Sequence, residues 1–77
     1  MQGVTCLQLD PTAVVVTNSL SRRIANFTLL LPRDAFPEGV TWSGASLAGW
    51  RHWEDRLAVW GDLPANGRTV VRWEREP

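Results

Sequence analysis

The feature that most constrains the fold is the way turn-forming residues interrupt the chain. Pro, Gly, Asn and Asp recur at short, regular intervals, and the segments between them are rich in β-branched and aromatic residues. These segments predict seven short strands, at residues 3–9, 13–19, 24–31, 40–42, 49–53, 57–60 and 68–74. Because helix signals are nearly absent and turns follow at this spacing, we expect an all-β, immunoglobulin-like antiparallel sandwich.

Alternation within the segments predicts which side chains form the core. Phe27, Leu29 and Leu31 point to one side of their strand, and polar residues point to the other. In the last strand, Val71 and Trp73 alternate with charged residues, and we expect both to face inward.

Two turn signals indicate where neighbouring strands meet. The dipeptide Asn66-Gly67 readily adopts positive φ and predicts a tight turn before the last strand. The dipeptide Asp10-Pro11 ends the first strand. The run 14–16 that follows is apolar on both sides, which is typical of a central strand or of one covered by a partner. The remaining aspartates are expected to serve the backbone in turns, at Asp34, Asp55 and Asp62.

Length and composition restrict the classes of function. With 77 residues, of which 44% are hydrophobic, the chain is expected to form one domain, 1–77, with a packed core. Eight basic residues balance eight acidic ones, and this balance argues against nucleic acid as a partner. No segment approaches the roughly 20 apolar residues of a membrane-spanning helix, so we expect no membrane insertion.

Cysteine usage and the N-terminal residues bear on the compartment. Cys6 is alone in the sequence, which excludes an intrachain disulfide and a cysteine-based metal cage. Residues 1–6 lack the basic start and the apolar run of a signal peptide. We therefore expect an intracellular product, a virion part or a domain excised from an exported protein, and we favour a virion or an extracellular surface.

Four segments resemble a known family. They are VVVTNS at 14–19, NFTLLLP at 26–32, FPEGVTWSGAS at 36–46 and WGDLPANGRTVVRWE at 60–74. Together they are similar to immunoglobulin-like bacterial surface repeats, a domain-of-unknown-function family with characteristic Thr-Asn and Gly-Asp-Leu-x-x-Gly turns. The resemblance implies an immunoglobulin-like sandwich with no catalytic residues to transfer. This chain departs from the repeats at residues 50–53, where it has Trp-Arg-His-Trp in place of small and polar residues.

No residue pattern predicts catalysis. The sole histidine, His52, is followed closely by Glu54 and Asp55, which could suggest acid–base chemistry or a metal ligand. No nucleophile or group of converging polar residues accompanies them, so we interpret His52 as a surface residue. A calcium loop would need oxygen ligands at short intervals, and the sequence has no such run. We expect no enzymatic activity, no cofactor and no metal.

The chain has more tryptophan than a core of this size can enclose. Each aromatic side chain buries on the order of 150–250 Å². Five tryptophans are present, at Trp42, Trp50, Trp53, Trp60 and Trp73. We assign Trp73 and one of Trp42 and Trp60 to the core, and we expect Trp50 and Trp53 to be exposed. An alternative, in which all five cover the core from its rim, stays open.

The exposed tryptophans and their neighbours define the predicted binding residues. Since Trp and Arg anchor protein interfaces, the partner-binding set is predicted to be Trp50, Arg51, Trp53 and Arg56. The sequence therefore favours a non-catalytic module for assembly or adhesion, a virion subunit or surface-protein domain that binds another protein or itself. The alternative is an accessory β-domain of a carbohydrate-active enzyme, because exposed tryptophans also stack on sugar rings. A third hypothesis, a small enzyme, rests on His52 and Glu54 alone.

Overall fold

Eight strands build the molecule, as seen in a computed structural model that describes residues 2–76. They are β1 (Val4–Asp10), β2 (Ala13–Asn18), β3 (Ile24–Leu31), β4 (Thr41–Trp42), β5 (Ala45–Ser46), β6 (Gly49–Trp53), β7 (Arg56–Leu63) and β8 (Gly67–Arg72). A 3₁₀ turn, Pro37–Gly39, precedes β4. Within the described residues, no helix has the length and apolar character needed to cross a membrane.

The strands form two antiparallel sheets that pack as a small sandwich. The larger sheet has the order β1-β2-β8-β4-β5, and the smaller has the order β3-β7-β6. β2 lies between β1 and β8, in agreement with the run 14–16 being apolar on both sides. The predicted all-β sandwich is therefore confirmed.

The core lies between the inner faces of the two sheets. Its buried side chains come from strands of both layers and from the segments that connect or follow them: Val16, Leu31, Ala35, Val40, Trp42, Leu57, Val59, Leu63, Val71 and Trp73. Phe27 and Leu29 are half-buried and pack against this cluster. The inward positions predicted in the third and last strands are thus confirmed, with Phe27 and Leu29 less covered than Leu31.

A buried asparagine joins the connections at one end of the sandwich. Asn18 is fully buried, and its side-chain amide donates to Arg22 O at 2.9 Å and to Pro64 O at 3.1 Å. Its Oδ1 accepts the N–H of Leu20 at 3.0 Å. Because buried polar groups are costly unless they are paired, these three bonds make Asn18 a structural link between the connection after β2 and the connection after β7.

Asp62, which was predicted to lie in a turn, belongs to β7 and stabilises a bulge in the neighbouring strand β3. Ala25 and Asn26 both lie opposite Asp62, because the register shifts between Ile24 and Phe27. The Asp62 carboxylate accepts the N–H of Asn26 at 3.3 Å and forms an ion pair with Arg23. The prediction that Asp62 lies in a turn is wrong, since it belongs to β7, although its carboxylate does serve the backbone as expected.

Other element boundaries also differ from the prediction. β5 has two residues and was not predicted, and the strand predicted at 57–60 extends over Arg56–Leu63. The turn at Asn66 is present, with φ of 50°, but it connects strands of different sheets. At Asp10 the prediction holds, because its Oδ1 accepts the N–H of Thr12 at 2.9 Å.

Candidate functional site

The outer face of the smaller sheet is defined by the alternation of β7. Leu57, Val59 and Leu63 are buried in the core, so the intervening side chains of Arg56, Ala58 and Trp60 project to the other side of the sheet. We call this side the outer face. It turns away from the larger sheet, and no strand among residues 2–76 packs against it.

Cross-strand pairs place further residues on the outer face, because directly opposed residues share a side of the sheet. Leu30 of β3 and Arg51 of β6 both pair with Ala58, so the three form one row. Ala58 is buried although it lies on the outer side. Its burial follows from the larger side chains of Leu30 and Arg51 that flank it.

A second row and a terminal pair complete the outer face. Thr28 and Gly49 pair with Trp60 from either side, and Trp53 pairs with Arg56 at the end of the β6–β7 hairpin. The Trp60 ring lies over the Gly49 backbone, where a β-carbon would overlap it. Trp60 is therefore half-buried by its own sheet and still forms part of the surface.

The outer face combines exposed apolar area with unpaired cations. Trp53 is 50% exposed and Leu30 is 44% exposed. The ion pairs among residues 2–76 are made by Arg23, Arg72 and Arg75, so neither Arg51 nor Arg56 has a described carboxylate within 4.0 Å. Large apolar side chains beside free guanidinium groups are the composition that protein interfaces favour.

The structure divides the predicted partner-binding set between two surfaces. Arg51, Trp53 and Arg56 lie together on the outer face. Trp50 pairs with the buried Val59, and so its side chain lies on the opposite side of β6. It is 46% exposed there and lines a shallow groove with residues that include Leu47.

The tryptophan assignment made from the sequence is confirmed. Trp42 and Trp73 are buried, whereas Trp50 and Trp53 are exposed. The proposal that all five cover the core from its rim is therefore wrong. Sequence reasoning did not place Leu30 and Trp60 on the candidate site. The signal for Trp60 was available, because it alternates with Val59 in the same way that Ala58 alternates with Leu57.

His52 lies on one side of β6, and Glu54 lies in the turn that follows the strand. His52 is exposed on the Trp50 side of β6, and the two rings meet edge to face with centroids 5.5 Å apart. Glu54 begins the two-residue turn between β6 and β7, with φ of 56°. Among the residues described, no three His, Cys, Asp or Glu side chains group in a way that could hold a metal ion.

The fold and the outer face define the class: a small antiparallel β-sandwich with an aromatic and basic sheet surface. Compared with family models, with curated proteins and with solved structures, the chain gives no match. The resemblance to immunoglobulin-like bacterial surface repeats thus stays a prediction.

Proposed function

We propose that this domain is a non-catalytic interaction module that binds another protein through the outer face of its smaller sheet. The observation that carries the proposal is the placement of Trp53 on that face, half exposed, with Arg51 and Arg56 on the same surface and no ion-pair partner for either within residues 2–76. The proposed setting is an assembly or adhesion role, in a virion or in an exported surface protein, and the resemblance to bacterial surface repeats supports the second of these.

Energetic arguments support this face as the binding surface. Burying an exposed aromatic side chain gains roughly 25 cal/mol per Å² of apolar area, and Trp and Arg are enriched among the residues that dominate binding energy. The Trp60 ring is held against Gly49, so it loses little freedom when a partner covers it. A preformed sheet surface of this kind is ready to bind without rearrangement.

Affinity capture with matched variants tests the proposal. The wild-type domain, Trp53→Ala and Leu7→Ala are immobilised in equal amounts and exposed to lysate of the source cells, and the captured proteins are identified by mass spectrometry. Leu7 is the control because it is 65% exposed and lies on the larger sheet. A partner held by the wild type and by Leu7→Ala, and lost with Trp53→Ala, is expected. Equal capture by all three proteins contradicts the proposal.

One observation favours a second candidate function, carbohydrate binding by an accessory β-domain. Trp53 projects from a sheet, with Thr28 and Arg51 available on the same side as polar groups. A panel of insoluble polysaccharides distinguishes the two functions. Retention that disappears in Trp53→Ala, and persists in Leu7→Ala, supports the carbohydrate function. Absence of retention on every polysaccharide leaves the protein-binding proposal in place and removes this one.

A further inference from the structure

The two sheets are offset at the edge opposite β6. β1 is the edge of the larger sheet, and its residues from Thr5 to Asp10 are exposed. Cys6 pairs with the fully buried Val16, so its side chain points to the inner side of the sheet. The Cys6 side chain is nevertheless exposed. The smaller sheet therefore ends before it reaches β1, and β1 overhangs it.

The smaller sheet has a free edge, β3, on the same side of the molecule as β1. β3 is an edge strand, so the backbone groups on one of its sides have no strand to bond. Between β1 and β3 lies a groove whose lining includes Gln8, Val14, Leu29 and Trp73. The indole N–H of Trp73 is buried there without an acceptor among the described groups. β3 therefore has a free edge beside this groove.

We call the space beneath the exposed β1 and beside the free edge of β3 the β1–β3 step. The directions of β1 and β3 determine how another strand can pack there. Val4, at the start of β1, pairs with Asn18, whose side chain donates to Pro64 O. Pro64 follows Leu63, and Leu63 pairs with Ile24 at the start of β3. β1 and β3 therefore begin at the same end of the molecule and run in the same direction. If a second copy is related to the first by a two-fold axis parallel to the strands, its larger sheet lies in the layer of the first copy's smaller sheet. The strands of the two copies then run in the same direction.

We propose that the step is the interface with a second copy of this chain. In this arrangement the overhanging β1 of each protomer lies beside β3 of its partner, and each five-stranded sheet continues into a three-stranded sheet. The free edges of β1 and β3 are thereby covered, whereas β5 and β6 remain edge strands, and the interface is isologous and closed. A second copy is favoured over another partner because one chain carries both halves of the contact, the exposed edge strand β1 and the free edge of β3. The formal net charge of +0 adds no repulsion between copies.

The arrangement has a specific consequence for Cys6. The inner sides of the two β1 strands face each other across the axis at the same height, so Cys6 of one protomer faces Cys6 of its partner. Mild treatment with diamide is expected to join them, as two thiols give up two protons and two electrons to the reagent and one S–S bond forms. Cys6 thereby reports the geometry, whereas the dimer itself depends on strand pairing and packing.

Light scattering after size-exclusion chromatography tests the proposal across a concentration series. The wild type and Cys6→Ser are expected to be dimers, and diamide is expected to cross-link the wild type alone. Cys6→Arg places two like charges face to face and is expected to be a monomer with unchanged circular dichroism. Leu7→Arg, on the opposite side of the same strand, is the matched control and is expected to remain a dimer.

Three results would overturn the proposal. A wild-type monomer at every concentration removes the second copy as occupant, and binding of an added apolar peptide by that monomer assigns the groove to a peptide. A dimer that survives Cys6→Arg uses another surface. A dimer that dissociates in Trp53→Asp while Cys6→Arg remains dimeric assigns self-association to the outer face. Leu30 and Arg56 of the outer face also line this groove, but Trp53 does not. The capture experiment depends on Trp53→Ala, so its outcome is distinguishable from that of the dimer experiment.

Discussion

The indole ring of Trp60 lies against the backbone of Gly49, at a point where any β-carbon on residue 49 would overlap ring atoms Cε2 and Nε1. Gly49 and Trp60 are directly paired across β6 and β7, so the missing side chain of one leaves the space that the other fills. This relationship explains why Trp60 is half-buried on a side of the sheet that no other layer covers.

Gly49→Ala is therefore expected to displace the Trp60 ring and to cost about 1–3 kcal/mol of unfolding free energy, as overpacking does. The five indole N–H signals in a ¹H–¹⁵N correlation spectrum provide the measurement, with the Trp60 signal assigned by Trp60→Phe. That signal should shift while those of Trp42 and Trp73 stay in place. Unchanged spectra would show that the ring does not depend on the glycine.

Asn18→Ala is expected to destabilise the fold by about 2–4 kcal/mol, because the substitution leaves two carbonyl oxygens and one N–H without partners near the buried site. Urea unfolding monitored by tryptophan fluorescence measures the change. Thr5→Ala, at an exposed position of β1, is the control and should change the free energy by less than about 0.5 kcal/mol. Equal midpoints for the two variants would mean that the three bonds contribute little.

Gly61→Ala is expected to lower stability because a β-carbon at residue 61 would stand 2.6 Å from Trp42 Cε2, in the core. The expected cost is about 1–3 kcal/mol. A double-mutant cycle with Trp42→Phe separates this overlap from other effects, since the smaller ring leaves room for the methyl group. The cost should fall in the Trp42→Phe background, and a cost that stays the same would assign it to the backbone of β7.

Glu54→Gly is expected to raise stability by about 0.5–1 kcal/mol, because Glu54 has φ of 56° in the turn between β6 and β7, a conformation that glycine adopts without steric cost. Thermal unfolding by calorimetry measures the gain. Asp55→Gly is the matched control in the same turn, and it is expected to lose stability because Asp55 is not among the positive-φ residues. Opposite signs for the two variants support the backbone explanation, and a loss in both would refute it.

Local patterns in the sequence were sufficient to predict the fold class and much of the core. Alternation in the third and last strands identified Leu31, Val71 and Trp73 as inward side chains, and the surplus of tryptophan identified Trp50 and Trp53 as exposed. These predictions depend on the period of a single strand and on the capacity of a small core.

The composition of the site could be predicted only in part, for two physical reasons. Residues three apart on a strand point to opposite sides, so the spacing of Trp50 and Trp53 already implied that they do not share a surface. The presence of Leu30 beside Ala58 depends on the register between β3 and β7, which long-range pairing determines. Local alternation carries no information about such a register.

Hydroxyl-radical footprinting tests the central claim, that the outer face of the smaller sheet binds a partner. Oxidation of each side chain is compared between the isolated domain and the domain in its cellular assembly. We predict a severalfold loss of Trp53 oxidation in the assembly, with Leu7 on the larger sheet oxidised to the same extent in both states. Equal oxidation of Trp53 in the two states, with protection confined to other surfaces, would contradict the account.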